Sequence, residues 1–320
     1  MTSIHDVTIN IGAMPILVRT DNPKFAHLLE DRYGKFVTAD APAAVMELEI
    51  ELIPPGRVCD AEDVSVRREA SRWVMERGDF RAEWDPQCRR GWVRQSANPY
   101  AIDGVLRILH SLILARQGGF LVHAASAVRN GRAFLFCGVS GAGKTTISRL
   151  APPDVVLLTD EISYVRREAR SRKQEARSKK QEGRSEDREF DIQNPKSAAL
   201  DPKPKIRNPK SSALNQQSAI DDRQSYEAFG TPFAGELARL GENLRAPLAA
   251  LYLLAQGPEN RIEPMSNAEA ARELLQNILF FAQDEELVGM IFQTVCDFVR
   301  RVPVRRLVFT PDARVWELIA

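Results

Sequence analysis

Residues 134–146 read FLFCGVSGAGKTT, and this stretch governs how the rest of the chain is read. The core Gly-x-x-x-x-Gly-Lys-Thr runs from Gly138 to Thr145. FLFC ahead of it is apolar enough for a buried strand, and TTIS behind it suits the start of a helix. Strand, glycine-rich loop and helix form the context that a phosphate-binding P-loop (Walker A) requires. Gly138, Gly141 and Gly143, with Ser140 and Ala142 between them, let backbone N–H groups close around phosphate oxygens. A helix starting near Lys144 adds its positive end. Lys144 is expected to bridge the β- and γ-phosphates, Thr145 to offer its hydroxyl to Mg²⁺, and Thr146 to complete the cradle. The expected ligand is a nucleoside triphosphate with Mg²⁺.

The surroundings narrow the chemistry. Upstream, LVHAASAV and RAFLFCG flank Asn130-Gly131. Asn-Gly between two apolar runs predicts a tight hairpin, because both residues tolerate positive φ. An antiparallel hairpin thus feeds the loop, unlike a simple βαβ unit. Downstream, VVLLTDEISYV predicts a strand ending in Asp160-Glu161, and Asp160 follows Lys144 by only 16 residues. An ABC-type ATPase carries its acid pair far downstream, after an LSGGQ-like signature, and none is found here. No NKxD-like guanine-reading motif is found either.

At 320 residues the chain can build a sizeable core and one or two domains. The net charge of +1 gives no broad field for nucleic acid or an anionic membrane, so neither is an expected partner. Cys59, Cys88, Cys137 and Cys296 are scattered, with no CxxC or Cys/His cluster for zinc or a disulfide framework. No signal-peptide pattern and no apolar run of about 18 residues is seen, and a cytoplasmic location is the expectation.

Residues 1–98 read as a small N-terminal α+β domain. Strands are expected at 6–12, 14–20, 45–53 and 90–96, a helix at 23–33, and a strand pair about Arg77-Gly78-Asp79 within 71–84. Residues 99–320 read as the P-loop domain. A helix over 101–119 stops at Gly118-Gly119. FGTPFAGEL at 229–237 is a loop entering a helix, and 246–256 is a buried strand. Ser266 and Glu269 form a capping-box pattern. A further helix ends before Pro303, a last strand is VRRLVFT, and Pro311 opens a short final helix. Residues 166–222 interrupt this domain with heptad-spaced repeats, EARSRKQ and EARSKKQ, then NPKSAAL and NPKSSAL. They lack an apolar seam and carry prolines, so a disordered insertion is expected rather than a coiled coil.

GVSGAGKTTIS followed closely by TDE resembles the phosphoenolpyruvate carboxykinase-type P-loop. It is also similar to the C-terminal domain of HPr kinase/phosphorylase, in which a His precedes a hairpin, then the P-loop, then paired acids. Here His123 opens LVHAASAV, Gly138–Thr145 form the loop and Asp160-Glu161 are the pair. LVFTPDARVWELI and FGTPF also resemble compact bacterial HPr-kinase-like proteins. The resemblance covers about 99–165 and 226–320. It lacks the PGRN-like loop and the Arg-Gly-Leu-Gly signature of HPr kinase proper, and GTPFAGEL stands near the latter's place.

The resemblance implies a carboxykinase-like P-loop kinase core that transfers phosphoryl from Mg²⁺·ATP to a hydroxyl. The acceptor would be a serine of a protein or peptide, or a small metabolite. Asp160 and Glu161 would divide the roles of general base and metal-linked acid, in either order. His123 would meet the phosphoryl group or the acceptor, and a homo-oligomer is compatible with the family. Glu236 and Arg245 are secondary candidates; their plain readings are a first-turn helix acid and a surface arginine. His110, Cys137 and Trp316 read as core. Two rival functions remain. One is a nucleotide-binding regulatory or assembly module with little turnover. The other is an ABC- or AAA-like ATPase, which needs parallel strands around the P-loop.

Overall fold

The computed structural model describes residues 3–39, 43–54, 63–168, 225–237 and 240–319. Met1–Arg167 with Tyr226–Ala320 form one compact unit, and Glu168–Ser225 a second. The second lies almost wholly outside the described residues, and most of the expected repeat insertion falls there. Its boundary shifts, because Arg166 and Arg167 belong to a strand.

Alternating burial builds the first sheet. β1 (His5–Ile11) and β2 (Met14–Thr20) form a hairpin, and α1 (Pro23–Tyr33) crosses to β3 (Met46–Leu52), parallel to β2. The α1 start is set by Asn22, whose side chain accepts the Lys24 and Phe25 N–H groups, with Pro23 as the first helical residue. β4 (Ser65–Glu69), β5 (Arg72–Arg77), β6 (Phe80–Asp85) and β7 (Arg90–Gln95) complete the order β1-β2-β3-β7-β6-β5-β4. Sequence reasoning missed β4, which has one buried side chain, Val66.

α2 (Pro99–Arg116) ends as expected near the glycines. Gly118 takes φ +70°, and Gly119 opens β8 (Gly119–Arg129) where a Cβ would lie 2.4 Å from the Val165 carbonyl oxygen. β8 turns through Asn130 (φ 52°) and Gly131 (φ 72°) into β9 (Arg132–Cys137). Then come α3 (Lys144–Arg149), β10 (Val156–Thr159), β11 (Ile162–Arg167), β12 (Tyr226–Phe229) and β13 (Arg245–Gln256). The remainder is β14 (Arg261–Pro264), α4 (Asn267–Leu275), β15 (Ile278–Leu279), α5 (Glu285–Arg301) and β16 (Val304–Phe309). The expected capping box is present at α4, where the Ser266 hydroxyl accepts the Glu269 N–H and Glu269 accepts the Ser266 N–H. The last helix is a 3-10 turn, Ala313–Glu317, capped by Asp312.

The whole is mixed α/β of the α+β kind. In the second sheet, strand pairings close a ring: β8 to β11, β12, β13, β9 and back to β8. β9, β13 and β16 are parallel neighbours, while β8 is antiparallel to β9. An ABC- or AAA-like core needs parallel neighbours around the P-loop strand, and β9 does not meet that requirement. The two sheets share one hydrophobic cluster with α2. At their junction Gly12 (φ +62°) lies so close to the Tyr164 ring that a Cβ would meet it at 2.3 Å.

Candidate functional site

Strand direction brings the sequence candidates to one edge. β9, β13 and β16 run parallel and end at Cys137, Gln256 and Phe309. β10 is antiparallel to β8, as β9 is, so β10 and β9 point the same way. The loop after Cys137 and the acids after Thr159 therefore leave from the same edge, the carboxyl end where α/β sheets hold ligands. On β8, Ala124 pairs with Cys137 and the preceding His123 pairs with Ile162. His123 thus stands between the start of the P-loop and the acid pair.

Close backbone approach explains the glycines of the loop. A Cβ on Gly138 would lie 2.8 Å from the Ala142 Cβ, and one on Gly143 (φ +108°) 2.5 Å from the Phe309 ring. Gly141 takes φ +80° with open space where a Cβ would stand. Gln256 at the end of β13 donates its side-chain N–H to the Gly141 carbonyl at 2.8 Å. Lys144 is buried, and its Nζ donates to the Gly138 and Val139 carbonyls at 2.8 and 3.2 Å. Thr145 and Thr146 are half-buried, whereas Ser140 is exposed. α3 is only six residues long, so its N-terminal dipole is weaker than a full helix would supply. A C-terminal clamp supports it: Trp316 Nε1 donates to the Ile147 carbonyl at 3.1 Å.

The two acids separate. Asp160 is buried, and its two carboxylate oxygens accept the Gly235 and Leu237 N–H groups at 2.8 and 2.9 Å. Thr159 Oγ1 donates to the Phe233 carbonyl, and Thr231 Oγ1 to the Ile162 carbonyl. Residues 231–237 are thereby strapped across the end of β10. This run is a loop, and the helix expected to follow it is not found among the described residues. Glu236 lies in a turn there.

Glu161 is half-buried and bears the electrostatics. Burial, with the Asp160 and Asp103 charges, raises its pKa; the Arg107 and Lys144 charges oppose the rise. Burial lowers the Lys144 pKa, while Glu161 and Glu236 pull it back up. Burial, then the Lys144 and Arg107 charges, lowers the His123 pKa and keeps that imidazole neutral. The charges that act in these shifts are those of Glu161 and Glu236 on Lys144, and those of Lys144 and Arg107 on His123 and Glu161.

Sequence reasoning missed Arg107. It sits on α2 among helical apolar residues, and only the packing of α2 on β8 brings it to the site. Arg245 is an exposed surface residue 3.7 Å from Glu227, away from any phosphate role. His110, Cys137 and Trp316 are core, as expected. Among the described residues no three His, Cys, Asp or Glu side chains form a ready metal cluster, and no helix is long and apolar enough to cross a membrane. No protein-family model matches this sequence, and no curated protein matches it.

Proposed function

We propose that the protein is an ATP-dependent phosphotransferase with a carboxykinase-like P-loop core, acting on a hydroxyl of a protein, a peptide or a small metabolite. The observation that carries this reading is the convergence of Lys144, His123 and Glu161 at the carboxyl edge of β9 and β10.

The residues fit the nucleotide. The positive-φ glycines leave space at Gly141, and the Lys144 ammonium is held against the loop by carbonyls that phosphate oxygens can replace. They also fit Mg²⁺ in the usual kinase manner, one or two carboxylates with phosphate oxygens, rather than an all-protein cage. Thr145 Oγ1 and the remaining lone pairs of Asp160 would hold the ion, which neutralises phosphate charge when bound.

Glu161 takes the base role. Its carboxylate is not tied to the 231–237 loop, and burial raises its pKa, which suits a proton acceptor. The acceptor oxygen attacks the γ-phosphorus as its proton passes to Glu161. The bond to the β–γ bridging oxygen breaks, and ADP leaves. Lys144 steadies the charge on the phosphates, and neutral His123 hydrogen-bonds the incoming group. Most of the catalysis is positioning and charge stabilisation.

One feature favours the rival reading of a regulatory nucleotide-binding module: both Asp160 oxygens are engaged by backbone N–H groups. Incubation with γ-labelled ATP and a lysate acceptor pool separates the two. Label on a discrete acceptor with wild type, lost in Glu161→Gln, supports the kinase. Tight ATP binding without labelled acceptor or free phosphate supports the module.

A further inference from the structure

We propose that Arg107 binds the γ-phosphoryl group of the nucleotide, as a second cation beside Glu161 at the same sheet edge as Lys144. This inference rests on the nucleotide-binding reading above and extends it to a residue that no motif marks.

Arg107 is held in place but poorly paired. Its guanidinium lies over the Phe233 ring, 4.9 Å from the centroid, a cation–π contact. Phe233 is fully buried in the loop strapped down by Thr159 and Asp160. Arg107 Nε is buried without a hydrogen-bond partner among the described residues. The nearest carboxylate, Glu161 Oε2, is 3.6 Å from Nη2, an ion pair beyond good hydrogen-bonding distance. A guanidinium N–H left without an acceptor is costly, and the part-exposed Nη groups, which make no hydrogen bond among the described residues, are the donors a ligand oxygen can reach. The side chains of Arg107 and Glu161 stay 26% and 31% exposed, so a ligand can reach the gap between them.

The kind of ligand follows from charge and shape. Arg107 stands 3.6 Å from Glu161 past the carboxyl end of β10, and Lys144 follows the loop that leaves the carboxyl end of β9, so both cations belong to one edge of the sheet. A planar guanidinium with a free donor edge suits a tetrahedral dianion such as a terminal phosphate. On the reading above, the glycine loop would hold the β-phosphate and Lys144 would bridge it to the γ-phosphate, leaving oxygens of the terminal group for a second cation. Arg107 lies on the side of the acids, where the terminal group must sit for the acceptor to reach it. ADP, lacking that group, leaves Arg107 unused.

The ratio of ATP to ADP affinity provides the test, measured by calorimetry on the full chain with the non-hydrolysable β,γ-imido analogue standing for ATP. Arg107→Met keeps the apolar stem over Phe233 and removes the charge; Arg107→Lys keeps the charge. We expect Arg107→Met to lose at least about tenfold of the preference for the triphosphate while ADP affinity changes by less than about twofold, with Arg107→Lys recovering part of the loss. A purely structural Arg107 would weaken both ligands together, or lower thermal stability, and leave the ratio unmoved; that result overturns the assignment. Should wild type bind neither nucleotide, the nucleotide-binding reading fails and this assignment falls with it. Should wild type bind both and Arg107→Met keep the ratio, Arg107 alone is wrong.

Discussion

Asp160 accepts the Gly235 N–H at 2.8 Å, a bond between residues 75 apart in sequence. With the Leu237 N–H on its other oxygen, Asp160 works as a loop anchor whatever else it does. Gly235 is held so near that a Cβ there would lie 3.0 Å from the Glu161 Cβ and 3.1 Å from an Asp160 oxygen. The acid pair thus divides into one carboxylate that builds the site and one that faces it.

Asp160→Asn should therefore cost stability as well as activity. An amide can present only one acceptor oxygen, and its NH₂ would confront a backbone N–H. The loss should be about 1–3 kcal/mol, as for a buried donor left without its acceptor. Glu161→Gln should leave the melting temperature nearly unchanged and abolish transfer. Denaturant titration and single-turnover transfer on both variants check this, and equal stability of Asp160→Asn and wild type would remove the anchor role.

Lys144→Ala should lower affinity for ATP at least about 100-fold, since a charge-assisted contact to phosphate is lost. Its two hydrogen bonds are to loop carbonyls that water can satisfy, so the fold should persist. Calorimetric titration decides, and unchanged affinity would contradict the loop assignment.

Gly143→Ala should disable the P-loop by geometry alone. The new methyl would meet the Phe309 ring, and φ +108° is unfavourable for any residue with a Cβ. Removing the ring as well, in Gly143→Ala with Phe309→Ala, relieves the clash but not the backbone strain. Nucleotide affinity should stay low in the double variant, and full recovery would show that the clash was the whole effect.

His110 provides a pH dependence unrelated to the site. It is fully buried against the edge of Tyr164, 5.7 Å between ring centroids, and neither nitrogen has a partner among the described residues. Burial lowers its pKa to about 3. The unfolded chain takes up this proton near pH 6.5 and the folded chain does not until about pH 3. Stability from the neutral ring is complete above the unfolded value and is lost as pH falls through that window, by about 1.4 kcal/mol per pH unit. His110→Phe should remove this contribution. The unfolding free energy of wild type minus that of His110→Phe should fall as pH drops from 7 to 5; a constant difference would contradict the prediction.

The local rules were legible in the sequence because each depends on a few neighbouring residues. Asn130-Gly131 specifies its turn through positive φ, Asn22-Pro23 starts α1, and Ser266 with Glu269 caps α4. The glycine-rich turn after β9 and the end of β10 before the acids were readable for the same reason. Strands with little apolar pattern, such as β4, or only four residues, such as β12 and β14, were not, since their pairing is supplied by distant partners.

Tertiary structure alone decided the rest. The sequence presents Asp160 and Glu161 as equals, and only the return of residues 231–237 gives Asp160 two N–H donors while the Glu161 carboxylate stays outside those bonds, 3.6 Å from Arg107. Arg107 carries no motif, because an arginine on an apolar helix reads as surface until the helix is docked on β8. Local sequence sets backbone conformation within a turn or two of chain. Burial, charge coupling and hydrogen bonding across 75 residues exist only once the strands have closed around the core.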